Sequence, residues 1–430
     1  MANLRDYESI TGPEAVNQIL ELGERLSGSR IVHISSTRSG GGVAEILTNL
    51  IPLLNQAGPK TEWKVIEGDQ EFFKTTKTIH NMLHGTDGQI SREMIEHYLA
   101  VNKRNASTLE DLNEADFVVV HDPQVAPLID HFPRRRGKWI WRCHIDLSSP
   151  NIEAWNLIVK FVAQYDATIF HVEKFARKDI PNRQFIVPPA IDPVDQKNRE
   201  LLKDEIDRVL EKHHINPRKQ MISQIGRFDR LKDLEGVVEV YHHLRNARRE
   251  YSNPVLNIIS ERIDGRQIDC QLVIAGGLAD DDPDGREVYR DVLKRVGRDK
   301  NAKVVLLPPN ADLDVNAIQR HSNVILQKSL KEGFALTVAE ALWKGTPVIG
   351  GNTGGIPLQV LHGIDGFLVN NVEEAEAYTR FLLRSPKKAK EMGSAGKEHV
   401  RRNFLVTRYV RDHLLVYLTL QQIPGKLVQL

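Results

Sequence analysis

The chain alternates short apolar runs with longer stretches of helical period from one end to the other. That rhythm predicts parallel sheets with helices packed on both faces. In the first half the predicted strands cover 30–35, 63–66, 117–120, 139–143, 167–171 and 184–187, and a helix over 43–56 follows the first of them. Pro188-Pro189-Ala190-Ile191-Asp192-Pro193 then breaks the pattern, because prolines this dense stop helix and strand alike. The domain boundary is placed there. Strands at 221–225, 271–275, 303–307, 323–326, 347–349 and 366–369 make up the second half. The expected fold class is α/β, with two Rossmann-like doubly wound domains facing each other across a cleft. Ligands of such domains bind where the strand C-termini point.

Composition narrows the partners. A chain of 430 residues exceeds one ordinary core, which agrees with two domains. The formal net charge of +1 gives no global attraction to nucleic acid or membrane. Basic clusters at 134–136 and 245–249 lack interleaved aromatics and read as solvated faces. Cys143 and Cys270 form neither a disulfide framework nor a zinc pattern. No apolar signal core follows the charged N-terminus, and no run approaches the ~20 apolar residues of a membrane span. The expectation is a soluble cytoplasmic enzyme.

The densest chemistry lies in Glu332-Gly-Phe-Ala-Leu-Thr-Val-Ala-Glu340. Gly333 permits a turn, Leu336, Ala339 and Leu342 open a helix, and Glu340 is expected in its first turn. Two acceptor-only carboxylates at different depths suit a ligand with hydroxyls at both ends, such as a nucleotide sugar. The competing reading is an acid that complements a helix dipole for under about 1 kcal/mol.

Arg227 and Lys232 bracket a strand end and the start of a helix over 234–244. They can converge on a diphosphate and stabilise charge that grows as a sugar departs. The alternative is a surface ion pair with Asp229 or Asp233. Gly40-Gly41-Gly42 lies between a strand and a helix, where backbone N–H groups can hold phosphate oxygens. It is neither a dinucleotide fingerprint nor a P-loop, and a plain tight turn looks similar.

His144 ends a strand in the first domain, a place from which a side chain reaches a ligand. His33, His80, His84, His121 and His171 have no metal-ligand spacing. Asp312-Leu-Asp314 matches a cation-holding D-x-D, yet capping of a helix over 315–321 explains it better. The acidic loop 280–285 reads as a turn. No metal site is expected. Glu67, Lys77 and Asn81 are acceptor-side candidates from their place after an early strand.

Together, Gly-Gly-Gly-Val at 40–43, Gly226-Arg227 with Lys232, and Glu332 with Glu340 resemble the retaining GT-B glycosyltransferases of family 4. Within that family, 33–47, 119–124, 139–150, 188–193 and 332–345 are similar to trehalose synthases of the glycosyltransferring type. The resemblance implies a reversible transfer of glucose from ADP-, UDP- or GDP-glucose to free glucose, giving α,α-trehalose with no cofactor. It assigns the diphosphate to Arg227 and Lys232, donor-glucose hydroxyls to Glu332 and ribose hydroxyls to Glu340. His144 would contact the donor sugar near the reacting carbon. Gly41 and Gly42 would approach phosphate, and Gly333, Phe334, Ala335 and Leu336 would complete the donor side.

The resemblance also implies domains at 1–190 (acceptor) and 191–405 (donor), with a helix in 406–430 crossing back to the first. Glucose and the nucleotide sugar are the partners it implies; a homodimer stays open. Two departures stand out. Ala335 replaces a glycine of many relatives, and Arg230-Leu231-Lys232-Asp233 replaces a proline followed later by Lys-Gly. Competing readings are a retaining trehalose phosphorylase, a glycosidase using Glu332 and Glu340, and a non-catalytic nucleotide-sugar binder.

Overall fold

A computed structural model describes residues 3–38, 41–247, 250–261, 265–278 and 284–422. Gly40 of the glycine run, Arg248 and Arg249 of the basic cluster, 280–283 of the acidic loop and 423–430 lie outside the described residues. The chain divides into two compact units, Met1–Ala190 with Phe404–Leu430, and Ile191–Asn403.

The first unit holds a six-stranded parallel sheet of β1 (Arg30–Ser35), β2 (Lys60–Val65), β3 (Phe117–His121), β4 (Lys138–Arg142), β5 (Ala167–Phe170) and β6 (Arg183–Ile186). Its order is β2-β1-β3-β4-β5-β6. β3 is buried along its whole length, as the unbroken apolar run Phe117–Val120 requires of a strand covered on both faces. Helices α1 (Pro13–Glu24), α2 (Gly42–Ala57) and α3 (Gln70–Leu83) belong to this unit. So does the terminal helix Val406–Gln422, which packs on α1 and α2 and sets the Tyr417 ring 5.0 Å from Phe117.

The second unit repeats the plan with β7 (Gln220–Ile225), β8 (Cys270–Gly276), β9 (Ala302–Leu306), β10 (Val324–Gln327), β11 (Val348–Gly351) and β12 (Gly366–Val369). The order is β12-β11-β10-β7-β8-β9, again all parallel. Helices α4 (Leu234–Leu244), α5 (Asp312–His321) and α6 (Leu336–Trp343) flank its site. Ile222, Leu272 and Ile274 of the sheet pack with Val237, Val238 and Tyr241 of α4. Every strand expected from the sequence is present, with ends displaced by up to three residues.

Candidate functional site

In the second unit the charged residues gather where the neighbouring strands β7 and β10 end. β7 stops at Ile225 and the chain passes through Gly226 to Arg227. A Cβ on Gly276, at the end of β8, would stand 1.6 Å from the Gly226 carbonyl oxygen, so glycine is what lets these strand ends meet. Arg227 is half-buried, and among the described residues its side chain makes no hydrogen bond or ion pair.

Asp229 starts the short 3-10 turn Arg230–Lys232 by accepting from the Leu231 amide at 2.8 Å. The Leu330 amide donates to the Leu231 carbonyl at 2.8 Å and ties this turn to the loop after β10. Lys232 consequently forms an ion pair with Glu332, both side chains mostly buried, and Ser329 Oγ donates to the same carboxylate at 3.3 Å. The surface pairing of Lys232 with Asp229 or Asp233 does not form. Asp233 instead holds Lys328 and caps α4 through the Gly236 amide at 3.2 Å.

The loop carrying Glu332 is clamped from behind. A Cβ on Gly354 would lie 1.6 Å from the Glu332 carbonyl oxygen, and one on Gly355 would lie 2.8 Å from that of Gly333. Gln359 adds a hydrogen bond to the Phe334 carbonyl. Ala335 then takes φ 69° and ψ 76°, a left-handed conformation that costs an alanine about 1–2 kcal/mol. That backbone delays the helix, and α6 begins only at Leu336.

Glu340 therefore lies in the second turn of α6, which corrects the expectation of the first and removes the helix-dipole reading. Its carboxylate is fully buried, with Lys197 Nζ at 2.9 Å and Gln319 Nε2 at 3.1 Å. Burial raises its pKa, but the Lys197 and Lys344 ammoniums outweigh that and hold it below the usual carboxylate range. Lys344, one turn on, donates to Asn198 Oδ1 at 2.7 Å, and burial drags its ammonium down to about 7. Lys197, Gln319, Lys328 and the 354–355 glycines were not singled out from the sequence. Their partners lie far along the chain, and only Gly354-Gly355 carried a local signal.

In the first unit His144 follows β4 and is half-buried. Its ring nitrogens meet two other histidines: His121 Nδ1 lies 2.9 Å from Nε2, and His171 Nε2 lies 3.2 Å from Nδ1. Its amide donates to Asp122 Oδ1 at 2.6 Å. Asp122 is a further residue that was not singled out from the sequence. It adopts φ 65° and ψ 175°, a conformation that strains any non-glycine residue, and burial pushes its carboxyl up to about 7. Strain held in place by packing concentrates at functional sites.

Gly41, at φ 96°, is the N-cap of α2, and Gly42 is its first residue; both are exposed. Lys77 and Asn81 lie one turn apart on α3 and share a face, while Glu67 precedes that helix with its backbone pinned by Asn105 at 2.8 Å on both sides. The capping reading of Asp312-Leu-Asp314 is corrected. Ala311 is the N-cap of α5 without a side-chain bond, and Asp314 pairs with Lys212 at 2.6 Å and His213 at 2.5 Å. Among the described residues no cluster of His, Cys, Asp and Glu suits a metal ion, and no helix is long and apolar enough to cross a membrane.

Residues 33–177 match the family described as trehalose synthase, N-terminal domain, and 205–399 match glycosyl transferases group 1. The chain is 44% identical to trehalose synthase of Pyrococcus horikoshii over 96% of its own length and 95% of that protein. It is 31% identical to trehalose phosphorylase of Pleurotus pulmonarius, over 85% of this chain but 54% of that protein. Among solved structures, that of trehalose-6-phosphate from E. coli bound with UDP-2-fluoro glucose superposes with a TM-score of 0.70 at 16% identity. The superposition covers 92% of this chain and 99% of the other, a likeness of GT-B fold alone.

Proposed function

The chain belongs to the trehalose synthase family of GT-B glycosyltransferases, and on that premise we propose that it moves glucose from a nucleoside diphosphate glucose onto free glucose. The product is α,α-trehalose, with retention at the donor carbon. The observation that carries this reading is the mostly buried Lys232–Glu332 pair together with Arg227, five residues before Lys232, a half-buried guanidinium that makes no ion pair among the described residues. A cation partly shielded from water and left unpaired is ready to meet an arriving anion. A diphosphate supplies that anion.

Lys232 then turns from Glu332 to the phosphates, and the freed carboxylate accepts hydroxyls of the donor glucose. As the glycosidic bond stretches, charge grows on the diphosphate, and Arg227 and Lys232 are already in place to stabilise it. The leaving phosphate takes the proton of the acceptor hydroxyl on the same face of the sugar, so no protein nucleophile is needed. Glu340 serves the ribose, whose hydroxyls take over from the Gln319 amide or the Lys197 ammonium on the buried carboxylate. Gly41 and Gly42 offer backbone N–H groups to phosphate, Gly333 to Leu336 shape the donor side, His144 contacts the donor sugar, and Glu67, Lys77 and Asn81 are assigned to the acceptor.

The phosphorylase reading uses inorganic phosphate at the same cations. One observation favours the nucleotide: the synthase relative is spanned almost end to end whereas the phosphorylase is spanned by about half. The ribose assignment of Glu340 agrees with it. The deciding experiment supplies trehalose with phosphate, then with ADP, UDP or GDP, and identifies the glucosyl product. Nucleoside diphosphate glucose is expected; glucose 1-phosphate alone would replace this reading with the phosphorylase. Free glucose without any nucleotide would point to the glycosidase.

A further inference from the structure

Parallel register brings four histidines of the first unit into one row. His121 pairs with Arg142, and Arg142 pairs with Ile169, so His144 and His171 stand level, each two residues further along its strand direction. Ile34 pairs with Val120, which sets His33 two positions behind His121, as His121 is two positions behind His144. Steps of two keep every ring on the same face of the sheet, and diagonal neighbours of this kind are within reach of long side chains.

The rings touch in sequence. His33 Nδ1 lies 3.0 Å from His121 Nε2, and the contacts of His121 with His144 and of His144 with His171 follow at 2.9 and 3.2 Å. The other end is rooted in the terminal helix. Tyr417 Oη lies 3.2 Å from His33 Nε2 and 3.3 Å from His413 Nδ1. Of the five imidazoles only that of His144 is more than marginally exposed.

Burial holds His121, His144 and His413 well below their ordinary pKa and His33 down at about 3, with the Arg142 guanidinium acting in the same direction on all of them but His33. The rings of His33, His121, His144 and His413 are therefore neutral, with one N–H each. Every contact in the row needs one proton, and His33, His121 and His144 each have one to give. His33, His121 and His144 each have a contact at both ring nitrogens, so the four contacts from Tyr417 to His171 run all in one direction or all in the other. Fixing one of these tautomers fixes the others along that stretch, while the Tyr417 hydroxyl, which can accept twice, ties His413 only when the donors point towards His171.

We infer that one donor direction of the row prevails, and that His33, His121 and Tyr417 are positioning residues that through it hold the His144 imidazole in a single tautomer and ring orientation. The terminal helix thereby sets the geometry of a side chain that meets substrate. The functional half of this inference rests on the assignment of His144 to the donor sugar.

Tyr417→Phe removes one oxygen from a ring that otherwise keeps its packing. In the full-length chain labelled with 15N-histidine, wild type should show one protonated and one bare nitrogen for His144. In Tyr417→Phe those two signals should move towards a mixture of tautomers. Turnover at saturating donor and acceptor should fall roughly tenfold, as expected of a slight misplacement near reacting atoms, with KM little changed. His121→Phe cuts two contacts and should be worse, while His121→Asn restores an amide at the position of Nδ1 and should recover part of the loss.

A purely structural role would lower the melting temperature alone. Unmoved His144 nitrogen signals in Tyr417→Phe and His121→Phe, or turnover that follows only the folded fraction, would overturn the inference. Unchanged turnover in His144→Ala removes the donor-sugar assignment and the functional half with it. The nitrogen signals still decide whether the row fixes the tautomer.

Discussion

Replacing Arg227 by alanine separates catalysis from stability more cleanly than any other change in the second unit. A unit charge about 4 Å from a phosphate contributes roughly 4 kcal/mol at an effective dielectric near 20. Part of the phosphate charge is present before the bond breaks and contributes to binding only. If half of it develops in the transition state, about 2 kcal/mol is lost from the barrier term, and turnover falls about 30-fold; if all of it does, the fall is about 1,000-fold.

Arg227 has no hydrogen bond or ion pair to lose among the described residues, so unfolding free energy should stay within about 0.5 kcal/mol of wild type. Lys232→Ala is the control. It strips the mostly buried Glu332 of its cation and leaves Ser329 as a weak donor, a loss of roughly 1–3 kcal/mol in stability on top of the lost activity. Steady-state trehalose synthesis at saturating donor and glucose gives kcat, calorimetric titration of the nucleoside diphosphate gives Kd, and urea unfolding gives stability. Near-normal kcat in Arg227→Ala, or a loss confined to Kd, would refute the role of this guanidinium. A marked loss of stability would show that it had a structural partner after all.

Glu340→Gln should weaken nucleoside diphosphate binding by about tenfold or more, the scale of a lost charged hydrogen bond, while kcat at saturation holds; an unchanged Kd in titration counts against the ribose assignment. Ala335→Gly should stabilise the chain by up to about 1 kcal/mol in urea, since about 1–2 kcal/mol of left-handed strain is relieved against the greater freedom of an unfolded glycine. A loss of stability would show that the methyl group packs usefully. Lys344 has a folded pKa near 7 against 10.5 in the unfolded chain, so between those values the unfolded state binds more protons and stability rises with pH. The difference in urea midpoint between wild type and Lys344→Met should therefore shift in favour of wild type from pH 7 to 9.5, and parallel pH curves would contradict the depressed pKa.

Legibility divided by range. Strands were readable because a parallel strand buried on both faces must be an apolar run, and Phe117–Val120 or Leu272–Ala275 has no other use. The pair of glutamates was readable too, but its depth was not. The pattern Leu336, Ala339, Leu342 gives a helix without fixing its first residue, and the left-handed backbone of Ala335 decides that. The partners of Glu340 could not be read at all. Lys197 and Gln319 are brought to it by the fold of the second unit, and no local period announces a contact across such separations.

The histidine row is an intermediate case, since its members were visible and their relation was not. Spacing along the chain gives His33, His121 and His171 no metal-ligand pattern, and His144 stands out only by its place after a strand. The information missing was the sheet order. With β1, β3, β4 and β5 adjacent and parallel, neighbouring strands are about 4.8 Å apart, and residues matched in register or two steps off it have little choice but to touch. Each strand fixes its own histidine by sequence alone; adjacency and register then turn four separate residues into one hydrogen-bonded row. The histidines in and just after the strands reveal the row when ordered by sheet position rather than by sequence spacing.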